Sequence, residues 1–147
     1  MLCLVIRGAD NVFDLTERGG GFASARQIVL APSATGNHLR MRTAGSPVNL
    51  VTDQAATPTN QLSWTGPPPP ITTLSAPAGT YRHTQRLYPA VAFIAAGTPI
   101  CVSLKRGDTV VKYGSGLGRD IPLSVGDELV IESEESCQVR LIPQKAW

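Results

Sequence analysis

The sequence predicts an all-β protein, either an antiparallel β-sandwich or a jelly-roll-like barrel, and three observations carry that expectation. From Tyr88 to Pro143 the chain is a series of five short apolar runs broken by Gly-rich or charged turns, as antiparallel structure requires. Elsewhere apolar residues recur at alternate positions, as with Leu39 and Met41 set between His38, Arg40 and Arg42. With 14 Gly and 12 Pro in 147 residues, long uninterrupted helices are disfavoured. The length suits one domain with a real core, so residues 1–147 are expected to form a single β domain.

Taken in order, Leu2–Arg7 reads as a first strand, with Val12-Phe13 as a candidate extension. Asp14-Leu15-Thr16-Glu17-Arg18 could make one helical turn, ended by the flexible turn Gly19-Gly20-Gly21. Gln27–Leu30 is rich in β formers and is closed by Pro32. His38–Arg42 alternates strictly, which turns Leu39 and Met41 inward and His38, Arg40 and Arg42 outward. Val48–Val51 is a further short strand. No internal repeat of fixed period is evident.

At Thr52 the composition changes. Residues 52–80 carry no charge after Asp53 and are rich in Thr, Pro, Ala and Gln. Pro67, Pro68, Pro69 and Pro70 favour stiff polyproline II, which has no internal hydrogen bonds. This stretch is expected to be a long Pro/Thr-rich extended arm or loop. It either packs on a neighbouring molecule or folds back over its own sheet, and Trp64 is the anchor in both cases.

Two hairpins can be registered in the C-terminal half by matching apolar faces. In the first, Leu104 opposite Thr109, Val102 opposite Val111 and Ile100 opposite Tyr113 keep one apolar side, with Arg106-Gly107 at the tip and Lys105 facing Asp108. In the second, Leu129 faces Leu141, Ile131 faces Val139 and Ser133 faces Cys137 around the loop Glu134-Glu135-Ser136. Gly114–Gly118 and Val125-Gly126-Asp127 are the intervening turns.

Net charge is only +2, which makes no general case for nucleic-acid or membrane binding. The basic excess lies in residues 1–90, where seven Arg face four acidic residues. Cys3, Cys101 and Cys137 cannot all pair within one chain and have no close ligand spacing, so reduced thiols and intracellular synthesis are expected. Leu2–Ile6 is too short for a signal-peptide core, and no run approaches transmembrane length.

No catalytic or metal motif is found. His38 and His83 are the only histidines and have no clustered carboxylate or thiol beside them, so no metal or cofactor is expected. Gly114-Ser115-Gly116 lacks the spacing of a nucleophile elbow and of a phosphate loop. The carboxylates from Asp127 to Glu135 fall on a hairpin edge and tip, where solvated charge is ordinary. Arg106-Gly107-Asp108 spells an integrin-recognition tripeptide, but a tripeptide match is weak and a plain charged turn is the reading expected. The candidate partner surface is therefore basic: His38, Arg40 and Arg42, with Tyr81, Arg82, His83 and Arg86, joined by Trp64 and Pro67–Pro70.

The C-terminal strand series invites comparison with cupins, but the clustered metal-ligating histidines of that family are absent. The stretch from Thr52 to Thr80 and the series ending in VGDELVIESEESCQVRLIP together resemble the accessory proteins of tailed-phage virions, above all capsid decoration or cement proteins. That resemblance implies a non-catalytic virion protein, synthesised in a host cytoplasm, that binds between major capsid subunits as a homo-oligomer and stabilises the shell. A head–tail connector, tail or fibre part, or a carbohydrate-binding β-sandwich module, are the competing expectations.

Overall fold

A computed structural model of the chain describes residues 2–16, 26–42, 51–66 and 68–144. They form fourteen strands and, among the described residues, no helix. Where one domain was expected from length, contacts divide the chain into two compact units. The first takes the chain up to Pro69 together with Arg86–Tyr88; the second takes Pro70–Gln85 and Pro89–Gln144.

The first unit is parallel, a pairing the sequence did not lead us to expect. Strands β1 (Leu2–Ile6), β3 (Arg26–Leu30) and β5 (Val51–Asp53) form one three-stranded sheet in that order. Strands β2 (Val12–Thr16), β4 (His38–Arg42) and β6 (Gln61–Thr65) form the other. Each pass of the chain thus adds one strand to each sheet, the pattern of a short β-solenoid. Leu30 and Ile6 from one sheet meet Leu39, Met41 and Leu62 from the other in a single buried cluster that also holds Leu87. Alternation places Leu39 and Met41 inside, as expected.

An internal repeat is present after all, but its step varies. Val12 pairs with His38 and His38 with Gln61, steps of 26 and 23 residues; Leu2 pairs with Arg26 and Ile28 with Val51, steps of 24 and 23. Three asparagines mark the corner before β2, β4 and β6. Asn37 donates its side-chain amide to Gly8 O at 2.8 Å and to Asn60 Oδ1 at 3.0 Å, and its own Oδ1 accepts from Asn11. Asn60 in turn donates to Ala34 O at 2.9 Å. Asn37 and Asn60 are fully buried, so these bonds stand in for water along the stack.

The second unit holds β7 (Thr72–Ala76), β8 (Gly79–Thr84), β9 (Ala90–Ala96), β10 (Pro99–Arg106), β11 (Thr109–Lys112), β12 (Asp120–Leu123), β13 (Glu128–Ser133) and β14 (Cys137–Pro143). They make two four-stranded antiparallel sheets, ordered β12-β9-β14-β7 and β11-β10-β13-β8. Ala92, Ile94, Ile121, Leu123, Val139 and Leu141 from the first pack with Val102, Leu104, Leu129 and Ile131 from the second. The all-β expectation is met, with antiparallel and parallel sheets in different units.

Several local expectations need correction. Asp14–Thr16 belongs to β2 and not to a helical turn, because Phe13 and Leu15 alternate onto the first unit's core. The strand placed at 48–51 begins at Val51 as described, and 48–50, like Gly19–Gly21, lie outside the described residues. The hairpin β10–β11 exists, but Leu104 faces Val111 and Arg106 faces Thr109, two residues from the expected register. Such a shift preserves the faces. It moves the tip to Gly107-Asp108, where Gly107 takes φ 57°. Ile100 is 59% exposed because a bulge between Pro99 and Cys101 takes it out of the alternation. Strands β13 and β14 do not pair at all. Their inward residues meet across the core from opposite sheets, so apolar matching identified the faces and not the neighbours.

Residues 52–80, expected as an extended arm or loop, run through β5, β6 and β7 and into β8. Leu62 and Trp64 alternate inward on β6, and Trp64 is 3% exposed, set edge-on to Tyr88 with ring centroids 5.6 Å apart. The uncharged, Thr-rich composition is strand composition here. Cys137 is fully buried, and Cys101 and Cys137 are free thiols on strands of different sheets.

Candidate functional site

The outward face of sheet β2-β4-β6 gathers the basic residues singled out from the sequence. Parallel register sets its side chains in rows: Val12, His38 and Gln61; then Asp14, Arg40 and Ser63; then Thr16, Arg42 and Thr65. Arg40 and Arg42 occupy the central strand, about 7 Å apart along it. At the ends of the three strands, where residues of both faces meet, lies a cleft of about 590 Å³, lined by the last two rows together with the inward Leu15, Met41 and Trp64.

Electrostatics within the face are uneven. Arg40 lies 4.0 Å from Asp14, with both side chains largely exposed. Arg42 forms no ion pair with any described residue and stands exposed beside the cleft. His38 Nε2 is 3.0 Å from Ser63 Oγ. Burial, and then the charge of Arg40, lowers the His38 pKa below 6.5 against an opposing pull from Asp14. The Ser63–His38 pair offers no accessible nucleophile, since Ser63 is 2% exposed. The indole N–H of Trp64 is buried without an acceptor among the described residues.

The remaining predicted residues do not join this face. Arg86 belongs to the same unit but donates to Asp53 Oδ2 at 3.3 Å and to Ala55 O at 3.0 Å, where it holds the third turn of the chain together. Tyr81 and Arg82 lie on β8 in the second unit. Tyr81 packs against that unit's core, and Arg82 donates to Glu128 at 2.7 Å. His83 meets Gln85 at 3.0 Å. Pro68–Pro70 lie outside any strand, where the chain passes from one unit to the other; Pro67 lies outside the described residues.

The Arg106-Gly107-Asp108 tripeptide has its arginine in use. Arg106 donates from Nε and Nη2 to the two carboxylate oxygens of Asp127, at 2.8 and 2.6 Å, and the amide of Ser124 donates to the same carboxylate. Burial pushes the Asp127 pKa up, but the Arg106 hydrogen bond, the Ser124 amide and the Arg106 charge outweigh it and hold it below 3.8. This bidentate pair ties the hairpin to the turn before β13.

Sequence reading missed Asp14, Thr16, Ser63 and Thr65, which parallel register brings beside the arginines. A signal for them exists. Asn-x-apolar-x-apolar occurs at Asn11–Leu15, Asn37–Met41 and Asn60–Trp64, and aligning the three asparagines generates the rows. Among the described residues no group of three or more His, Cys, Asp or Glu could hold a metal ion, and no helix is long and apolar enough to cross a membrane. No family model, curated protein or solved structure matches the chain.

Proposed function

We propose that this chain is a non-catalytic virion structural protein, and within that class a capsid decoration or cement protein that binds between major capsid subunits as a homo-oligomer. The observation that carries the reading is the strand order of the second unit. Sheets ordered β12-β9-β14-β7 and β11-β10-β13-β8, with the chain crossing repeatedly between them, follow the eight-stranded jelly roll that recurs in viral capsid domains. Placement as a connector, tail or fibre part draws on the same observation. Repeated placement on a lattice lets modest contacts per copy sum to firm attachment.

Immunogold electron microscopy of particles from the producing culture tests this, using antibody against the purified protein. Regular label on virions is the expected result, and analytical ultracentrifugation should find an oligomer. Protein recovered only free of particles and as a monomer would overturn the reading. The alternative, a carbohydrate-binding module, is favoured by one observation, the cleft beside Arg40 and Arg42.

A further inference from the structure

We propose that β11 is a self-association edge, at which a second copy of this chain adds its own β11 antiparallel about a two-fold axis at Val110, joining the sheets β11-β10-β13-β8 edge to edge. The inference names the contact behind the homo-oligomer proposed above, and the two readings fail separately. A monomer that still labels virions would end this one and leave the virion placement standing.

Exposure singles this strand out. All 4 residues of β11 are exposed, Val110 to 52% and Val111 to 45%. Among the described residues β11 pairs only with β10, so one of its edges is open. The register decides which backbone groups lie along that edge. Arg106 faces Thr109 across the tip, and Tyr113 N donates to Val102 O at 2.8 Å. Hydrogen-bonded pairs alternate along an antiparallel ladder, so Thr109, Val111 and Tyr113 bond to β10, while Val110 and Lys112 turn their N–H and C=O to the open edge. Such an edge is a template for another strand. At the edge of the other sheet, β12 is blunted by contrast, since Pro122 has no N–H to offer.

Charge selects both the partner and the register. Val110 and Lys112 must meet residues whose own backbone groups face the open edge, and a two-fold axis perpendicular to the sheet keeps like faces together. Centring the axis on Val110 sets that residue against its own copy, Val111 against Thr109 of the second copy, and Lys112 against Asp108 of the second copy. Symmetry makes the charge pair twice. Neither Lys112 nor Asp108 has an ion pair among the described residues, whereas the neighbouring Arg106 is held by Asp127. A lysine on an edge strand ordinarily discourages strand addition; opposite a carboxylate it favours the strand that supplies one, and this chain carries such a strand itself. Moving the axis to Val111 would set Lys112 against Val110 and leave both charges unanswered. The contact is isologous, so it closes at two copies and does not propagate.

The test is sedimentation equilibrium of the full chain and four variants over a range of concentrations. Reversible self-association is the expected result for the parent. Lys112→Asp alone, or Asp108→Lys alone, sets like charges opposite each other at both ends of the contact and should weaken association at least about tenfold. Combining the two substitutions restores opposite charges and should bring association back to within about threefold of the parent. Val110→Pro removes an N–H that points away from β10, so it should abolish association and leave the urea unfolding midpoint almost unchanged. A parent chain that stays monomeric up to about 1 mM overturns the proposal, since only very weak contacts lie beyond that level. So does association that survives Val110→Pro or either single charge reversal, and so does failure of the combined variant to restore it.

Discussion

Replacing Asn37 by alanine is the most direct test of the stacked architecture of the first unit. The substitution removes two donated bonds, to Gly8 O and Asn60 Oδ1, and two accepted ones from the amide and side chain of Asn11. A typical bond of this kind contributes about 0.5–1.5 kcal/mol net. The Asn11 side is exposed, so water replaces much of that loss; the Asn60 side is sealed. The expected destabilisation is therefore about 2–4 kcal/mol, concentrated in the first unit. Because two units need not unfold together, a global melting curve is the wrong assay. Hydrogen exchange resolved by segment is the right one, and protection across β3, β4 and β6 should fall by roughly thirtyfold to a thousandfold. Asn60→Ala should behave similarly, whereas Asn11→Ala, at the exposed end, should cost under about 1 kcal/mol. Equal losses at all three positions, or loss of protection confined to the second unit, would refute the ladder as a source of stability.

Four further outcomes follow from the same geometry. Gly97→Ala should destabilise strongly in urea unfolding, since a Cβ there would meet Cys137 Sγ at 2.7 Å and Ser136 O at 2.9 Å with φ at 116°; Gly107→Ala faces open space and should cost about 1 kcal/mol. Leu129→Ala should cost about 2–5 kcal/mol by the same assay, as Leu129 is fully buried between the two antiparallel sheets. Asp127, with its pKa held below 3.8, contributes stability that is complete above that value and lost as pH falls through the lower folded value; Asp127→Asn should flatten this part of the acid unfolding curve. The His38 pKa is also lowered, so the unfolded chain binds the proton more tightly, and stability falls as pH drops below 6.5; His38→Gln should remove that slope in a pH series of unfolding midpoints.

What the sequence made legible was largely local. Alternation identified which side of β4, β10, β13 and β14 is buried, because period-two patterning depends only on the strand's own residues. Neighbour choice is not local. Leu129 and Leu141 match as well across a core as across a hairpin, and the pattern alone cannot separate the two. The parallel unit was missed because its partners lie 23 to 26 residues apart with unequal steps, so a search for constant period passes over the three asparagines. At the candidate site, the outward set His38, Arg40 and Arg42 was legible from one strand. The hydroxyls and carboxylate beside it were not, since they come from strands one step before and one step after. Composition misled most at residues 52–80, where a lack of charge suggested an arm and reflected instead a run through β5, β6 and β7, with Leu62, Ser63 and Trp64 all buried on β6.

The short return of Arg86–Tyr88 makes the two units inseparable by any single cut. The chain leaves the first unit at Pro69, builds β7 and β8, and then comes back so that Leu87 O accepts from Leu62 N at 2.6 Å and Arg86 reaches Asp53. Leu87 holds φ 68° there, a conformation an ordinary residue adopts only when its surroundings impose it. On the ribosome, therefore, the earlier-synthesised unit is completed only after the later one has begun to emerge. A fragment ending at Pro69 would carry every strand of the first unit and still lack the residues that close its last turn.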